Sequence, residues 1–395
     1  MFSSELISFK SIPHWKPKIN YDALSCFLRH GYVGGQNSIF LGIKKLLPSH
    51  FIVCNERLEI KTQEYNKISD DNYFDKNAND DDIIEMGSKL IENSVALRMN
   101  SDVPLGTFLS GGIDSSIILS FMQSKSNFPV KTYTIGFEDQ FYDESGQAKL
   151  ISNFFSTDHN QFTLTENEVV DIIPDIPKIY NEPFADMSQI PAILLSRLVI
   201  KDVKVVLTGD GGDELFYGYS RYNIVIKLWN IIKYIPQPIR YLFVNLVKIS
   251  STNFLNNNFN FISNFINKFG KFYSIGDRIK KISYLLQADS FQHLYEMFIS
   301  AWSISPLLID TNPQARPYFL EKITESFTDK EKWMTDSDQK IYLPDDILVK
   351  LDRSTMSVGL EGRVPFLDKN IINFSSQIPF NYKYRENENK WILKK

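Results

Sequence analysis

Residues 105–122 read LGTFLSGGIDSSIILSFM, and the reading of this stretch decides the fold. Leu105 to Leu109 has the length and apolar content of a short buried strand. Ile117 to Met122 reads as the start of a helix. Between them lies Ser110-Gly111-Gly112-Ile113-Asp114-Ser115-Ser116. Two glycines allow consecutive backbone N–H groups to point one way, and a helix start adds donors and a partial positive charge. Strand, glycine turn and helix start together make a phosphate cradle. Ser110, Ser115 and Ser116 add hydroxyls. Asp114 cannot favour an anion by itself, so it implies a metal ion between carboxylate and phosphate. The loop lacks a Walker A pattern, which argues against kinases and P-loop ATPases. The competing reading is a plain helix-opening turn.

A second acidic turn weakens that competitor. Lys204 to Leu207 reads as another buried strand and ends in Thr208-Gly209-Asp210-Gly211-Gly212-Asp213-Glu214. Such a mixture of glycines and carboxylates suits neither helix nor strand. Clustered anions without basic neighbours repel one another unless a cation is bound. In open α/β sheets, ligands sit beyond the carboxyl ends of strands, where strand order reverses. Both turns can therefore face one crevice and form a Mg-nucleotide site. The alternative for the second turn is a solvated acidic loop.

A third constellation follows late in the chain. Asp345-Asp346-Ile347-Leu348-Val349-Lys350-Leu351-Asp352-Arg353 has helical spacing, with Lys350 and Arg353 at i,i+3 on one face. Glu361 to Asp368 reads as a mixed charged and apolar loop. A cationic face could neutralise charge on a transferring phosphoryl group. Taken alone, a solvated face with surface ion pairs explains this segment better.

At these residues the chain resembles the synthetase part of the glutamine-dependent asparagine synthetase family. SGGIDSS is similar to the family's pyrophosphate-loop motif, and Leu207–Tyr219, LTGDGGDELFYGY, to its second ATP-site motif. EPFADMSQIPAILLSRL (182–198) and DDILVKLDRSTMSVGLEGRVPFLD (345–368) resemble two further family segments, in family order. The resemblance implies an α/β fold. Its parallel sheet would be of the pyrophosphate-loop type (adenine nucleotide alpha hydrolase-like, Rossmann-like), with a helical C-terminal part. GMP- and NAD-synthetase-type enzymes, which also release pyrophosphate, fit the DGGDE and VKLDR motifs less well.

The resemblance also implies a chemistry. ATP would lie across the crevice, with Leu109, Ser110, Ile135 and Gly136 on the nucleoside side. Gly111, Gly112, Ser115 and Ser116 would hold pyrophosphate, with Thr208 and Gly209 beside the nucleotide. Asp114 and Asp213 would hold Mg²⁺. A substrate carboxylate, aspartate or a related acid, would become an acyl-adenylate for ammonia to attack. Asp210 is the candidate base, and Lys350 or Arg353 the candidate for charge on the α-phosphoryl group. Some relatives carry Lys at the position of Arg353, and the two cations are not equivalent. Tyr217 stands where the family's FGGY has glycine, which could narrow the pocket, and Asp186 and Ser188 are weaker candidates for substrate contact. The alternatives are a ligase acting on another carboxylate, such as a sugar acid of surface polysaccharide, and an inactive remnant that only binds.

Family members usually begin with a glutaminase domain whose nucleophile is an N-terminal cysteine. Here Met1 to Leu6 and the segment from Tyr21 to Val53 resemble only that domain's closing portion. The expected organisation is therefore a glutaminase remnant over residues 1–70 and an ATP-binding domain over 71–395. The last residues, Lys390 to Lys395, resemble a helix start that continues in the family, so the second domain is expected to be C-terminally incomplete. No glutaminase activity is expected. Ammonia would arrive free or from a separate glutaminase subunit, and a homodimer is an open expectation.

Composition agrees with a cytoplasmic enzyme. The 395 residues carry 43 basic and 47 acidic side chains, a balance that argues against a nucleic-acid surface. Cys26 and Cys54 are the two cysteines and read as small apolar residues rather than a disulfide framework. The five histidines show no metal spacing. The most membrane-like stretch, Ile224 to Val247, is interrupted by Lys227, Lys233, Pro236, Pro238 and Arg240 and reads as a helical hairpin. Strands are expected at 105–109, 132–137, 162–164 and 204–207, alternating with helices as in a parallel sheet. The Asn-rich run 253–267 reads as a loop.

Overall fold

A computed structural model of the chain describes residues 1–65, 79–138, 143–258, 275–301 and 329–395. Helix α1 (Tyr21–His30) starts where the Asn20 side chain accepts from two backbone N–H groups, and it stops at Gly31 in a left-handed conformation. The exposed antiparallel hairpin of β1 (His50–Cys54) and β2 (Ile60–Glu64) follows. Helix α2 (Asp80–Met99) opens on a reciprocal cap between Asn79 and Asp82. Its three leading aspartates suit the positive end of the helix dipole.

Five parallel strands form the central sheet in the order β5-β4-β3-β6-β7. They are β3 (Leu105–Phe108), β4 (Lys131–Phe137), β5 (Asp158–Leu164), β6 (Val205–Leu207) and β7 (Glu361–Arg363). The chain leaves β3 toward β4 and β5, then returns to place β6 on the other flank of β3. The order therefore reverses between β3 and β6. Side chains alternate across the sheet. Val205 and Leu207 join one core with Ile91 and Val95 of α2, Ile118, Leu119 and Met122 of α3 (Ile113–Lys125) and Ala148 of α4 (Ser145–Phe155). Val206 and Tyr133 join a second core with Leu195 and Val199 of the helix Gln189–Val199. Apolar cover on both faces is what a parallel sheet requires.

The four expected strands are present, with 162–164 as the end of the longer β5. The fifth, β7, corrects the reading of Glu361 to Asp368 as a loop. Its three residues show no apolar alternation, and its register against β6 (Val205 with Glu361, Leu207 with Arg363) comes from tertiary pairing. Within the Asn-rich run, residues up to Asn258 are helical, and 259–267 lie outside the described residues. The boundary expected at residues 70 and 71 also lies outside them.

Two compact units share the chain. One holds residues 1–219 and 335–395 of the described chain, so the N-terminal 65 residues fold with the sheet. Gly35 N–H donates to Asp345 Oδ2 at 2.7 Å, Lys45 pairs with Glu182 at 2.7 Å, and Ala185 N–H donates to the Gly31 carbonyl at 2.8 Å. The second unit is helical; Val247 and Ile279 are buried together in it, with Ile275 and Ile282 packed beside them. Ile224 to Val247 falls on two helices, Ser220–Ile232 and Gln237–Ile249. Among the described residues no helix is long and apolar enough to cross a membrane. Cys26 is buried, which pushes its thiol up to about 11, whereas Cys54 is exposed on β1 and does not behave as an apolar residue.

Candidate active site

A cavity of about 610 Å³ opens over the carboxyl ends of β3 and β6. The two glycine turns meet there because glycine leaves room. A Cβ on Gly209 would lie 2.7 Å from the Ser115 nitrogen, and one on Gly212 would lie 2.5 Å from Asp114 Cγ. Any side chain at either position would push the turns apart. The first turn is stiffened by its own hydroxyls. Ser116 Oγ donates to the Gly112 carbonyl at 2.7 Å, Gly112 N–H donates to Ser110 Oγ at 3.3 Å, and the Ser110 and Ser115 hydroxyls are 3.1 Å apart.

Leu109, Ser110, Gly112, Asp114, Ser115, Ile135, Thr208, Gly209, Asp210, Asp213 and Lys350 all line the cavity. Gly111 of the first turn, Ser116 of α3 and Gly136 of β4 lie outside its lining. Arg353 is turned away, which corrects its placement on one face with Lys350. Its guanidinium pairs with Glu5 at 2.8 Å and donates to the Ser4 carbonyl at 3.3 Å. The N-terminal segment supplies both acceptors, and a planar fork with five donors favours such a site. Lys350 Nζ instead reaches Ser188 Oγ at 2.9 Å and stands 3.8 Å from Asp186 Oδ2. Tyr217 does not line the cavity; its ring packs on Phe380 and Tyr384.

Burial governs the electrostatics. It pushes the Asp114 carboxyl up to about 6, with Lys390 opposing the rise and Asp213 adding to it. Burial also raises Asp210, against the Lys350 charge and a 2.8 Å hydrogen bond from the Thr208 hydroxyl. Glu214 is pushed up to about 7 by burial, although Tyr219 Oη donates to it at 2.5 Å.

The sequence reading assigned no role to several residues that line the cavity, among them Glu214, Tyr219 and above all Lys390. Lys390 Nζ lies 2.5 Å from Asp114 Oδ2 and 2.6 Å from Asp213 Oδ1. Burial works against its charge, yet the two carboxylates raise its pKa above the ordinary lysine value. The available signal was the polar run Glu386-Asn387-Glu388-Asn389 before a lone lysine and the apolar Trp391-Ile392-Leu393. That run marks a turn whose far side delivers one charge.

A divalent cation fits these residues in part. Asp114 Oδ1 is buried without a hydrogen-bond partner, and carboxylate oxygens are hard donors. Among the described residues no three His, Cys, Asp or Glu side chains converge as a protein-only cage.

The family model for asparagine synthase matches residues 87–395. The chain belongs to the asparagine synthase family. Its sheet is the pyrophosphate-loop, adenine nucleotide alpha hydrolase-like fold of that family. A putative asparagine synthetase (glutamine-hydrolyzing) 2 of Methanocaldococcus jannaschii is 36% identical over 228 residues, 56% of this chain and 43% of that protein. Asparagine synthetase (glutamine-hydrolyzing) 1 of Bacillus subtilis is 27% identical over 385 residues, 96% of this chain and 56% of that protein. A putative asparagine synthetase (glutamine-hydrolyzing) of Mycobacterium bovis is 30% identical over 327 residues, 81% of this chain and 46% of that protein. The chain spans about half the length of the curated relatives it matches.

Proposed function

We propose that the chain is an ATP-dependent amide ligase that adenylates a carboxylate, with aspartate the first acceptor to test, and amidates it with ammonia. One observation carries the reading. A donor turn and a carboxylate turn end adjacent strands at the point where strand order reverses, and Lys350 lines the same cavity. This is where an open α/β sheet binds a nucleotide.

The residues divide the work by chemistry. The first turn and the start of α3 cradle the leaving pyrophosphate with N–H groups. Asp114 and Asp213 would hold Mg²⁺, which offsets phosphate charge and favours the leaving group. The substrate carboxylate oxygen bonds to the α-phosphorus as the bond to the β-phosphate oxygen breaks. Lys350 stabilises the charge on the α-phosphoryl group. Ammonia then bonds to the acyl carbon, AMP leaves, and the nitrogen gives up a proton to Asp210, whose raised pKa suits a base. Asp186 and Ser188, beside Lys350, stand where the acceptor acid would be read.

Pyrophosphate release from Mg-ATP and ammonium chloride tests the reading, with aspartate present and absent. Aspartate-dependent release with asparagine formed supports it. ATP binding without aspartate-dependent release moves the acceptor to another acid, and no ATP binding overturns the ligase.

A further inference from the structure

Lys390 is held in place with unusual care. Glu386, Asn387 and Lys390 take positive φ, at 56°, 63° and 54°, around the short hairpin of Tyr384–Arg385 and Glu388–Asn389. Positive φ at both Glu386 and Asn387 is the primed turn that a two-residue hairpin favours, and Asn tolerates it; Glu386 and Lys390 are the residues that resist the conformation and need their surroundings to hold it. Tyr217 is one fastener. It too has positive φ, 59°, and it is fully buried. Its ring meets Phe380 edge-on at 4.9 Å and Tyr384 at 5.7 Å. Asn389 Nδ2 adds a 3.0 Å hydrogen bond to the Gly218 carbonyl. The lysine stem then passes so close to Gly218 that a Cβ there would lie 2.1 Å from Lys390 Cε.

The strain delivers one ammonium between two carboxylates. The side chains of Lys390 and Asp114 are only 12% and 13% exposed, so water screens them poorly. Without a cation the carboxylates of Asp114 and Asp213 would repel each other. Lys390 holds Asp114 Oδ2 and Asp213 Oδ1, and a divalent cation drawn to the same two carboxylates would be repelled by the ammonium beside it. We propose that Lys390 is the resident counter-ion of the Asp114–Asp213 pair, fastened by Tyr217, and that a divalent cation takes its place when nucleotide enters. The inference rests on reading the crevice as a Mg-nucleotide site and adds an exchange to it. In the empty crevice the ammonium offsets one of the two carboxylate charges, so a divalent cation that displaces it gains less than it would at a bare pair. A triphosphate offers the released ammonium new anionic partners, which makes cation and nucleotide binding reciprocally favourable.

Mn²⁺ binding to the full chain without nucleotide, read by electron paramagnetic resonance, tests the exchange. K390Q should bind Mn²⁺ at least about tenfold more tightly than the unaltered chain, because no ammonium competes. Y217F keeps the ring and should match the unaltered chain. Y217G loses the ring and relieves the backbone, so its affinity should shift toward that of K390Q. Thermal melts give a second readout: K390Q should melt lower without divalent cation and recover with Mg²⁺ more than the unaltered chain does. Equal or weaker Mn²⁺ affinity in K390Q overturns the proposal. If K390Q does not fold, an unchanged affinity in Y217G overturns it. Tighter Mn²⁺ binding in a chain that releases no pyrophosphate with any acid keeps the exchange and sinks the ligase reading. Unchanged Mn²⁺ binding beside aspartate-dependent release does the reverse.

Discussion

The turn after β3 brings backbone donors, the Ser110 and Ser115 hydroxyls and a single carboxylate, Asp114, to the cavity, whereas the turn after β6 brings Asp210, Asp213 and Glu214. The first is organised by short-range contacts: its hydroxyls bond to its own backbone within five residues. The second is balanced from far away. Lys350 and Lys390, from distant positions in the chain, bring positive charge to the cavity that neither turn carries. Backbone donors can be built locally because glycine and a helix start suffice.

The largest test breaks the contact between the turns. Gly212→Ala places a Cβ against the Asp114 carboxyl, and nucleotide affinity should fall by about a hundredfold or more. Gly146→Ala, with no atom within 4 Å of its new methyl, should leave affinity unchanged. Titration calorimetry with ATP compares the two, and equal affinities would mean that the turns need not touch.

The next test separates the two cations of one helix. Lys350→Met should lower pyrophosphate release by about a hundredfold, the usual scale for one charge aimed at a transition state. Arg353→Met should stay within about threefold, because its partners are Glu5 and Ser4. A loss in Arg353→Met as deep as in Lys350→Met would put both on the crevice.

A smaller effect reads the burial of the acidic turn. Glu214 is raised from 4.5 to about 7, so between those values the folded chain holds a proton that the unfolded chain has lost. Its contribution to stability is full below pH 4.5 and disappears as pH rises through about 7. Thermal melts from about pH 5 to about pH 8 should therefore fall by a few degrees more in the unaltered chain than in Glu214→Gln. Parallel curves would show a water-exposed carboxylate. Smallest of all, Arg353→Met should lower the melting temperature by about a degree or two, the scale of a half-exposed ion pair.

Much of this was legible because its causes are local. A strand, two glycines and a helix start announce a cradle within a dozen residues; the second motif was legible as a turn at Gly209 to Gly211, but Gly212–Leu215 forms a short helix where the mixture of glycines and carboxylates suggested none. Alternating strands and helices pointed to a parallel sheet, and both turns stand at strand ends. Lys350 and Arg353 were harder. Helical spacing assigns them one face, but long side chains follow their partners, and only the fold brings Glu5 to one and Ser188 to the other.

The sequence by itself determined where the backbone must bend, which strands lie buried and where carboxylates gather, since φ preference, apolar pattern and residue chemistry act over a few positions. Tertiary structure alone decided that Glu361–Arg363 completes the sheet, that Arg353 leaves the crevice, and that Lys390 bridges Asp114 and Asp213. Lys390 and Asp114 stand 276 residues apart, and nothing in the local pattern of either names the other. Their meeting depends on the sheet order, on the glycines that let the turns touch and on the strained turn that Tyr217 fastens.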